Sequence, residues 1–141
     1  MAIRGIRGAT TVEADSAESI EEATDELLRA LIDANQFDPA DIAGAWFTTT
    51  KDLTAEFPAI AARKLGWTEV PLLCGHEMEV DPSNPRSIPM CIRVMVLLNT
   101  ERAASEMQFV YLRRALEIKT DLEDLRRLGA GGSMTGDQGL D

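Results

Sequence analysis

The residues of this chain that are best suited to chemistry are a set of cationic, hydroxyl, thiol and carboxylate side chains. They are Arg7, Arg63, Cys74, Glu77, Arg93 and Tyr111. Several guanidinium groups suit a ligand with more than one carboxylate, because each planar fork can bind an oxyanion at two points. The tyrosine adds a neutral donor, and the glutamate can accept a hydrogen bond from a hydroxyl group. This inventory favours electrostatic binding of a small anion over covalent or metal catalysis.

Other common catalytic chemistries lack their signatures in the sequence. No serine or cysteine has a convincing base beside it, and neither a phosphate-binding loop nor a dinucleotide fingerprint is present. His76 is the only histidine, and the two cysteines do not form a C-x-x-C pattern. We therefore expect no metal site.

Arg93 stands out because it is the single charge in the apolar run 88–98. The run is rich in β-branched residues and too short to span a membrane, so it predicts a buried strand. Burying an unpaired ion costs a great deal of free energy, and arginine cannot lose its proton to avoid that cost. Arg93 therefore needs an anionic partner, which is either an internal carboxylate such as Glu77 or a ligand.

The composition is that of an ordinary globular protein of one domain. The 141 residues are 45% hydrophobic and 27% charged, which is typical of a chain with a sizeable core. The balance of 24 acidic against 14 basic residues gives a net charge of −10, which argues against nucleic acid or an anionic membrane as partner. We expect Cys74 and Cys91 to be reduced. Because the N-terminal segment lacks an apolar signal core, we expect a cytoplasmic protein.

Hydrophobic periodicity divides the chain into strands and helices. The predicted strands are 2–13, 42–49, 69–78, 88–98 and 107–118. The predicted helices run from a cap at Asp15 to Ala34, from 58 to 65 and from 121 to 128, with Asn35 ending the first of them. We predict an α+β fold, a mixed β-sheet with helices packed on one face. Residues 1–128 would form a single domain and residues 129–141 a flexible glycine-rich tail.

Strand alternation adds two predictions about side-chain direction. Both faces of the strand that carries Arg93 are mostly apolar, so both faces should be covered. Cys74 and Glu77 have opposite parity and would face apart on a regular strand. They can share a site only if the chain bends or bulges, which Gly75 makes plausible.

Seven short blocks of the chain resemble, in the same order, those of a known family. They are 3–13, Phe57-Pro58-Ala59 with Arg63, Gly66-Trp67, Val70-Pro71 with Cys74, Glu77-Met78, 91–95 and Val110-Tyr111-Leu112. As a set they are similar to the AroH-class, or Bacillus-type, monofunctional chorismate mutases, and they cover residues 1 to about 122. Ile60, Leu73 and Lys119 depart from residues that the family can carry, which we expect to affect substrate affinity more than the reaction.

The resemblance implies a reaction and a set of catalytic residues. The family converts chorismate to prephenate, in phenylalanine and tyrosine biosynthesis, without a cofactor. Arg93 would stabilise negative charge that grows on the ether oxygen as its bond to carbon opens. Arg7, helped by Tyr111, would bind a carboxylate. Glu77 and the backbone of Cys74 would bind the ring hydroxyl.

The resemblance also implies an assembly. The family is a homotrimer with active sites at its subunit interfaces, and the trimer resembles a pseudo-α/β-barrel. Phe57, Ala59 and Arg63 would reach the site from a neighbouring subunit. Leu73 would contact the substrate at a position where the family can carry threonine, and Ile118 would line the pocket wall.

Two other functions remain open on sequence grounds. One is a trimer of related appearance that binds a carboxylate metabolite as a sensor without rearranging it. The other is a deaminase of reactive imines and enamines, which resembles this fold and also uses an interfacial arginine. The combination of Arg7, Glu77, Arg93 and Tyr111 favours the mutase.

Overall fold

The structure, a computed structural model, describes residues 1–132. Its strands are β1 (Ala2–Thr11), β2 (Ile42–Thr49), β3 (Leu72–His76), β4 (Cys91–Thr100) and β5 (Val110–Tyr111). Its helices are α1 (Ala17–Asn35), α2 (Ala59–Lys64) and α3 (Leu116–Gly132). Single 3₁₀ turns occur at Pro39–Asp41, Ala104–Glu106 and Arg113–Ala115. No helix within residues 1–132 is both long and apolar enough to cross a membrane.

The strands form one mixed sheet in the order β3-β2-β4-β1-β5. The central strand β4 is antiparallel to both of its neighbours, β1 and β2. The two edge strands are parallel to the strands that they flank, since β3 pairs with β2 and β5 pairs with β1. The predicted α+β class with a mixed sheet is therefore confirmed.

Helix α1 covers one face of the sheet and forms most of the core. Its apolar residues recur at helical spacing and are fully buried; they are Ile20, Ala23, Leu27, Leu28 and Leu31. They pack in one cluster with Ile6 of β1 and with Val94 and Val96 of β4. Burying each leucine contributes about 1.5–3 kcal/mol, so this layer is the main source of stability.

The other face of the sheet is only partly covered by this chain. The 3₁₀ turn after β5 and the start of α3 pack there against β1, where Ala9, Tyr111 and Ala115 are buried together. Further along this face, Ile3 and Trp46 are exposed, and Met95 of β4 is half-buried. The prediction that both faces of the Arg93 strand are covered is therefore wrong within a single chain. The prediction of helices on one face holds for α1 and α2 but not for the start of α3.

The ends of α1 differ from the prediction. Ser16, not Asp15, caps the helix, because its side-chain oxygen accepts a hydrogen bond of 3.1 Å from the backbone N–H of Ser19. Gln36, not Asn35, has the left-handed conformation beyond the last turn, with φ of 50°. Asn35 is buried instead, where its amide exchanges two hydrogen bonds with the backbone of Gln108. Asn35 thus serves a long-range contact, although the local preference of asparagine for helix ends predicted a left-handed conformation.

The last predicted strand is mostly wrong. Of residues 107–118 only Val110–Tyr111 forms a strand, because Arg113 has a φ of 53° and turns the chain out of the sheet. Helix α3 then begins at Leu116 and continues to Gly132, so it is longer at both ends than the predicted helix 121–128. The first four residues of the predicted tail are thus helical, and residues 133–141 lie outside the described residues.

Candidate active site

Arg93 lies near the middle of the sheet, on the face opposite α1. The register pairs it with Ala9 of β1 on one side and with Thr48 of β2 on the other. Ala9 is in turn opposite Tyr111, and Thr48 is opposite Gly75. The side chains of directly paired residues share a face, so this row brings Arg93 and Tyr111 to the same side of the sheet, two strands apart.

Arg93 and Glu77 line the same cleft, which has a volume of about 620 Å³. The guanidinium Nε lies 3.9 Å from Oε2 of Glu77, which is too far for a hydrogen bond. The Arg93 side chain is 17% exposed, so it is largely removed from water yet keeps its donors available. Glu77 therefore forms a long ion pair with Arg93 but does not occupy its hydrogen-bond donors.

Glu77 reaches this position by the alternation of β3, because Gly75 lies opposite Thr48, which in turn lies opposite Arg93. The backbone N–H of Glu77 donates a 2.8 Å hydrogen bond to the carbonyl of Thr49, and regular pairing stops at His76. Its Oε1 accepts a hydrogen bond of 2.8 Å from the N–H of Met78. Cys74 and Glu77 therefore keep the opposite faces that strand alternation predicted, so the Glu77 side chain can share a site only with the backbone of Cys74.

The wall of the cleft is fixed by hydrogen bonds that the sequence did not reveal. Asp52 accepts one from the hydroxyl of Thr50 and another, of 3.0 Å, from the N–H of Met90. The Thr50 hydroxyl in turn accepts a 3.0 Å hydrogen bond from the N–H of Cys91. Met90 has a φ of 53°, a conformation that is unusual for a side chain of this kind. These contacts hold the entrance to β4, three residues before Arg93. The only sequence signal was that threonine and aspartate favour such turns.

Arg7 and Tyr111 lie on the same face as Arg93 and keep polar groups without partners. Arg7 is half-buried opposite Met95, and its side chain makes no hydrogen bond or ion pair within residues 1–132. The buried Tyr111 hydroxyl has no hydrogen-bond partner among the described residues. Buried donors without partners are rare in folded proteins, so these groups are suited to a ligand or a partner chain. Ile118 packs against the same cluster as Tyr111, and its role as a pocket wall stays a prediction.

The remaining predicted site residues lie near the opposite edge of the sheet. Phe57 and Leu73 are 64% and 74% exposed, respectively, which is unusual for side chains of this size. Burial raises the pKa of the Cys74 thiol, and a hydrogen bond from the backbone of Ala59 opposes part of that rise. The thiol is therefore a poor nucleophile, and it lies against α2 rather than in the cleft.

The backbone of Cys74 is directed toward the open edge of the sheet. The Pro71 carbonyl accepts a hydrogen bond from Ala45, and the Glu77 N–H donates to Thr49, so these two residues face β2. Alternate residues of a strand direct their backbone groups to opposite sides, and β3 is an edge strand. The N–H and C=O of Cys74 therefore point away from the sheet.

Arg63 has a structural contact within its own chain. Its Nη1 donates hydrogen bonds to the carbonyl oxygens of Trp67, Thr68 and Val70, at 2.7, 3.1 and 3.1 Å. These contacts stabilise the loop after α2 and are an alternative to the predicted interaction with substrate. Within residues 1–132, no group of three or more His, Cys, Asp or Glu side chains is placed to hold a metal ion.

Comparison with known proteins identifies the family. A family model described as chorismate mutase type I matches residues 3–122. The chain belongs to this family. The AroH chorismate mutase of Thermus thermophilus is 46% identical over 122 residues, which are 86% of this chain and 97% of that protein. The AroH chorismate mutase of Bacillus subtilis (strain 168) is 42% identical over 123 residues, 86% and 94% of the two chains.

Structural similarity agrees with this assignment to the type I chorismate mutases. A solved structure of the chorismate mutase from Clostridium thermocellum has a TM-score of 0.75 with this chain and is 44% identical to it. The similarity covers 79% of this chain and 96% of that structure. The resemblance predicted from the sequence blocks is therefore confirmed.

In this member of the chorismate mutase family, a single chain divides the predicted site residues between two regions. Arg7, Tyr111 and Ile118 lie at the β1–β5 side of Arg93, whereas Phe57, Ala59, Arg63, Leu73 and Cys74 lie at the β3 side. Strands are spaced about 4.8 Å apart, so β5 and β3 are separated by about 19 Å. One small substrate would not span that distance between Tyr111 and the β3 residues of the same chain.

Proposed function

We propose that this chain catalyses the rearrangement of chorismate to prephenate, and that it does so mainly by electrostatic stabilisation from Arg93. Membership of the chorismate mutase family supports the reaction. The observation that carries the proposed mechanism is the position of Arg93, a largely buried guanidinium that faces a cleft without a hydrogen-bonded acid.

The reaction needs charge stabilisation more than proton transfer. One C–O bond breaks while one C–C bond forms within the same molecule, so no atom enters or leaves. Negative charge grows on the ether oxygen as the bond opens. A fixed cation at that oxygen stabilises the transition state more than the ground state, and it acts strongly in a site with little water.

The other residues hold the substrate in its reactive shape. We propose that Arg7 and Tyr111 bind one carboxylate, because both have unsatisfied donors on the Arg93 face. Glu77 would bind the ring hydroxyl, together with the outward backbone of Cys74 on the β3 edge of a neighbouring chain. Fixing a flexible substrate in a compact conformation lowers the entropic part of the barrier. Prephenate, the product, would then serve phenylalanine and tyrosine biosynthesis.

We further propose that the site is completed at the interface of a homotrimer. The separation of the two residue groups within one chain supports this, since a second chain could bring its β3 edge beside Tyr111. The uncovered sheet face supports it too, because it is lined by Ile3, Trp46, Met95 and Leu97, which are exposed or half-buried. Apolar faces of this kind are typical of interfaces between subunits. Phe57, Ala59 and Arg63 would then come from the neighbouring subunit.

A continuous assay with product identification tests the proposed function. We expect the purified protein to consume chorismate, seen as a loss of its absorbance, and to form prephenate with one-to-one stoichiometry. No turnover with intact calorimetric binding of chorismate would reject the mutase and favour a sensor. Neither turnover nor binding would reject both functions.

A further inference from the structure

The segment between Glu77 and Met90 contains two successive β-turns of the same design. In the first, Asn84 donates a 2.8 Å backbone hydrogen bond to the carbonyl of Asp81, and in the second Ser87 donates one of 2.9 Å to the carbonyl of Asn84. Each turn has proline as its second residue, at 82 and 85. Because proline fixes its own backbone angle, this segment is conformationally restricted despite its exposure.

Side chains stabilise both turns in the same way. A carboxylate oxygen of Asp81 accepts a hydrogen bond of 2.8 Å from the N–H of Ser83, and this contact lowers the pKa of Asp81. The amide oxygen of Asn84 accepts one of 2.9 Å from the N–H of Arg86. The second turn therefore uses the backbone of Arg86 and leaves its side chain for another role.

Arg86, an exposed residue, lines the same cleft as Arg93. Three cations and three carboxylates line that cleft; they are Lys51, Arg86 and Arg93 with Asp52, Glu77 and Glu79. Lys51 forms an ion pair of 3.0 Å with Glu79. Asp52 and Glu77 accept hydrogen bonds from backbone N–H groups.

Arg86 differs from Lys51 because its guanidinium makes no hydrogen bond or ion pair within residues 1–132. The carboxylates of the cleft are held by other groups, and the conformationally restricted turn fixes the position of Arg86 at the cleft. A fork-shaped cation with free donors, next to a site that accepts an anion, is suited to a carboxylate of that anion.

We propose that Arg86 binds a carboxylate of the substrate at the mouth of the Arg93 cleft. This inference rests on the proposed function, since chorismate carries two carboxylates and Arg7 with Tyr111 accounts for one of them. The carboxylate stays charged throughout the rearrangement. An interaction that is equally strong in ground and transition states lowers KM and leaves kcat unchanged. Arg86 is thus a substrate-binding residue and not a source of rate acceleration.

Steady-state kinetics of three variants tests the proposal. We expect Arg86→Ala and Arg86→Gln to raise KM about tenfold, the effect of losing one partly exposed charged hydrogen bond, with kcat within about twofold of wild type. Arg86→Lys keeps the charge but not the fork, and should recover part of the affinity. The turn should persist in all three variants, because it uses only the Arg86 backbone.

Arg29→Ala is the matched control. It removes the same charge from the protein, but Arg29 lies on α1 and pairs with Asp25 at 2.9 Å. This control separates a local contact from the loss of long-range attraction for an anion. A KM of Arg86→Ala equal to that of Arg29→Ala would overturn the proposal, and so would a drop in kcat without a change in KM.

Calorimetric binding of chorismate and prephenate separates this proposal from the proposed function. A wild-type protein without turnover would reject the mutase function. The Kd of Arg86→Ala compared with that of Arg29→Ala would still decide the role of Arg86. We expect a Kd about tenfold weaker for Arg86→Ala, and equal values for the two variants would reject the role of Arg86 even if the wild type turns over.

Discussion

At the scale of the residue, the central feature is a permanent cation held in a sheet that otherwise favours apolar side chains. Arg93 is flanked by Ala9 and Thr48, neither of which carries charge, and its nearest acid is 3.9 Å away. Holding a charge in such a position costs free energy, because its ion-pair partner is not hydrogen-bonded to it and water is mostly excluded. A substrate oxygen that becomes anionic in the transition state would offset this cost there. The barrier of the reaction would therefore be lower.

Replacement of Arg93 should therefore affect chemistry rather than folding. We expect Arg93→Ala to lower kcat by 10²–10³-fold or more, the typical effect of removing one transition-state donor. Arg93→Lys should also be slow, because a compact ammonium does not reproduce the guanidinium fork. The measurement is kcat for prephenate formation, together with thermal unfolding to show that the variants are folded.

Arg4→Ala is the control for this prediction. Arg4 is also a strand arginine, but its Nε donates a hydrogen bond of 3.1 Å to the backbone carbonyl of Arg102, outside the cleft. Its loss should leave kcat within about twofold, since it contacts no reacting group. An Arg93→Ala variant within a few fold of wild type would refute the role of Arg93.

At the scale of the element, the packing of α1 on β1 depends on Gly8. A methyl group on Gly8 would lie 3.0 Å from Cδ1 of Leu31, 3.1 Å from Cδ1 of Leu27 and 3.3 Å from Cγ1 of Val94. We expect Gly8→Val to lower the free energy of unfolding by about 1–3 kcal/mol, because a packed core does not accept extra methyl groups without strain. Urea unfolding at fixed protein concentration measures this free energy.

Gly44→Val provides the comparison for Gly8→Val. The same added group at Gly44 would meet only the Pro71 carbonyl oxygen, at 3.7 Å, which is ordinary contact. We expect a change within about 0.5 kcal/mol, as for most substitutions that create no clash. Equal losses at the two glycines would show that strand propensity, and not contact with α1, determines the effect.

Asp15, just before α1, forms hydrogen bonds with the loop that precedes α2. Its carboxylate accepts hydrogen bonds of 3.0 Å from the N–H groups of Thr54 and Ala55, and these contacts hold the pKa of Asp15 below its ordinary value of 3.8. A carboxyl group with a lowered pKa in the folded state stabilises the fold above its ordinary pKa. That contribution is lost as the pH falls through the lower, folded-state pKa.

We expect the difference in Tm between wild type and Asp15→Asn to depend on pH. Wild type should have the higher Tm near pH 6, and the two Tm values should converge as the pH falls below about 4. Asp33→Asn is the control, because the Asp33 side chain makes no hydrogen bond or ion pair within residues 1–132. A difference in Tm that is constant across this range would contradict the assignment.

At the scale of the whole molecule, the question is whether the two groups of site residues belong to one active site. The proposed trimer predicts complementation between variants that are each inactive. In a mixture of Arg63→Ala and Arg93→Ala chains, roughly one interface in four would combine an intact Arg63 with an intact Arg93, for random cyclic assembly. We expect about that fraction of wild-type activity after the chains are unfolded and refolded together.

Complementation also separates the two possible roles of Arg63. If Arg63 served only the loop carbonyls of its own chain, a neighbour could not repair the loss. Activity no greater than the sum of the separate variants would therefore reject shared sites. The separate variants, taken through the same refolding, are the controls, and size-exclusion chromatography with light scattering reports whether trimers form.

The match between sequence and structure depends on the range of the interactions involved. Strand β2 was predicted with the observed bounds, Ile42–Thr49, and α1 within about two residues, because apolar periodicity reports directly which side faces a core. The prediction of a strand over 107–118 is mostly wrong because Arg113 has a left-handed conformation and ends the strand. The prediction that Asn35 ends α1 in a left-handed conformation is wrong because Asn35 binds Gln108, 73 residues further along the chain. Neither event has a local signature.

By itself, the sequence determined the α+β class, the family, and the presence of one charge inside an apolar strand. Residue type and spacing suffice for these, since they follow from periodicity and from the cost of burying an ion. Only the tertiary structure decided what lies around that charge. Glu77 is 3.9 Å from it, and Arg86, on a proline-restricted turn, lines the same cleft. The predicted site residues at the β3 edge are about 19 Å from Tyr111. Strand order and register fix these neighbours, and both depend on contacts between residues far apart in the chain.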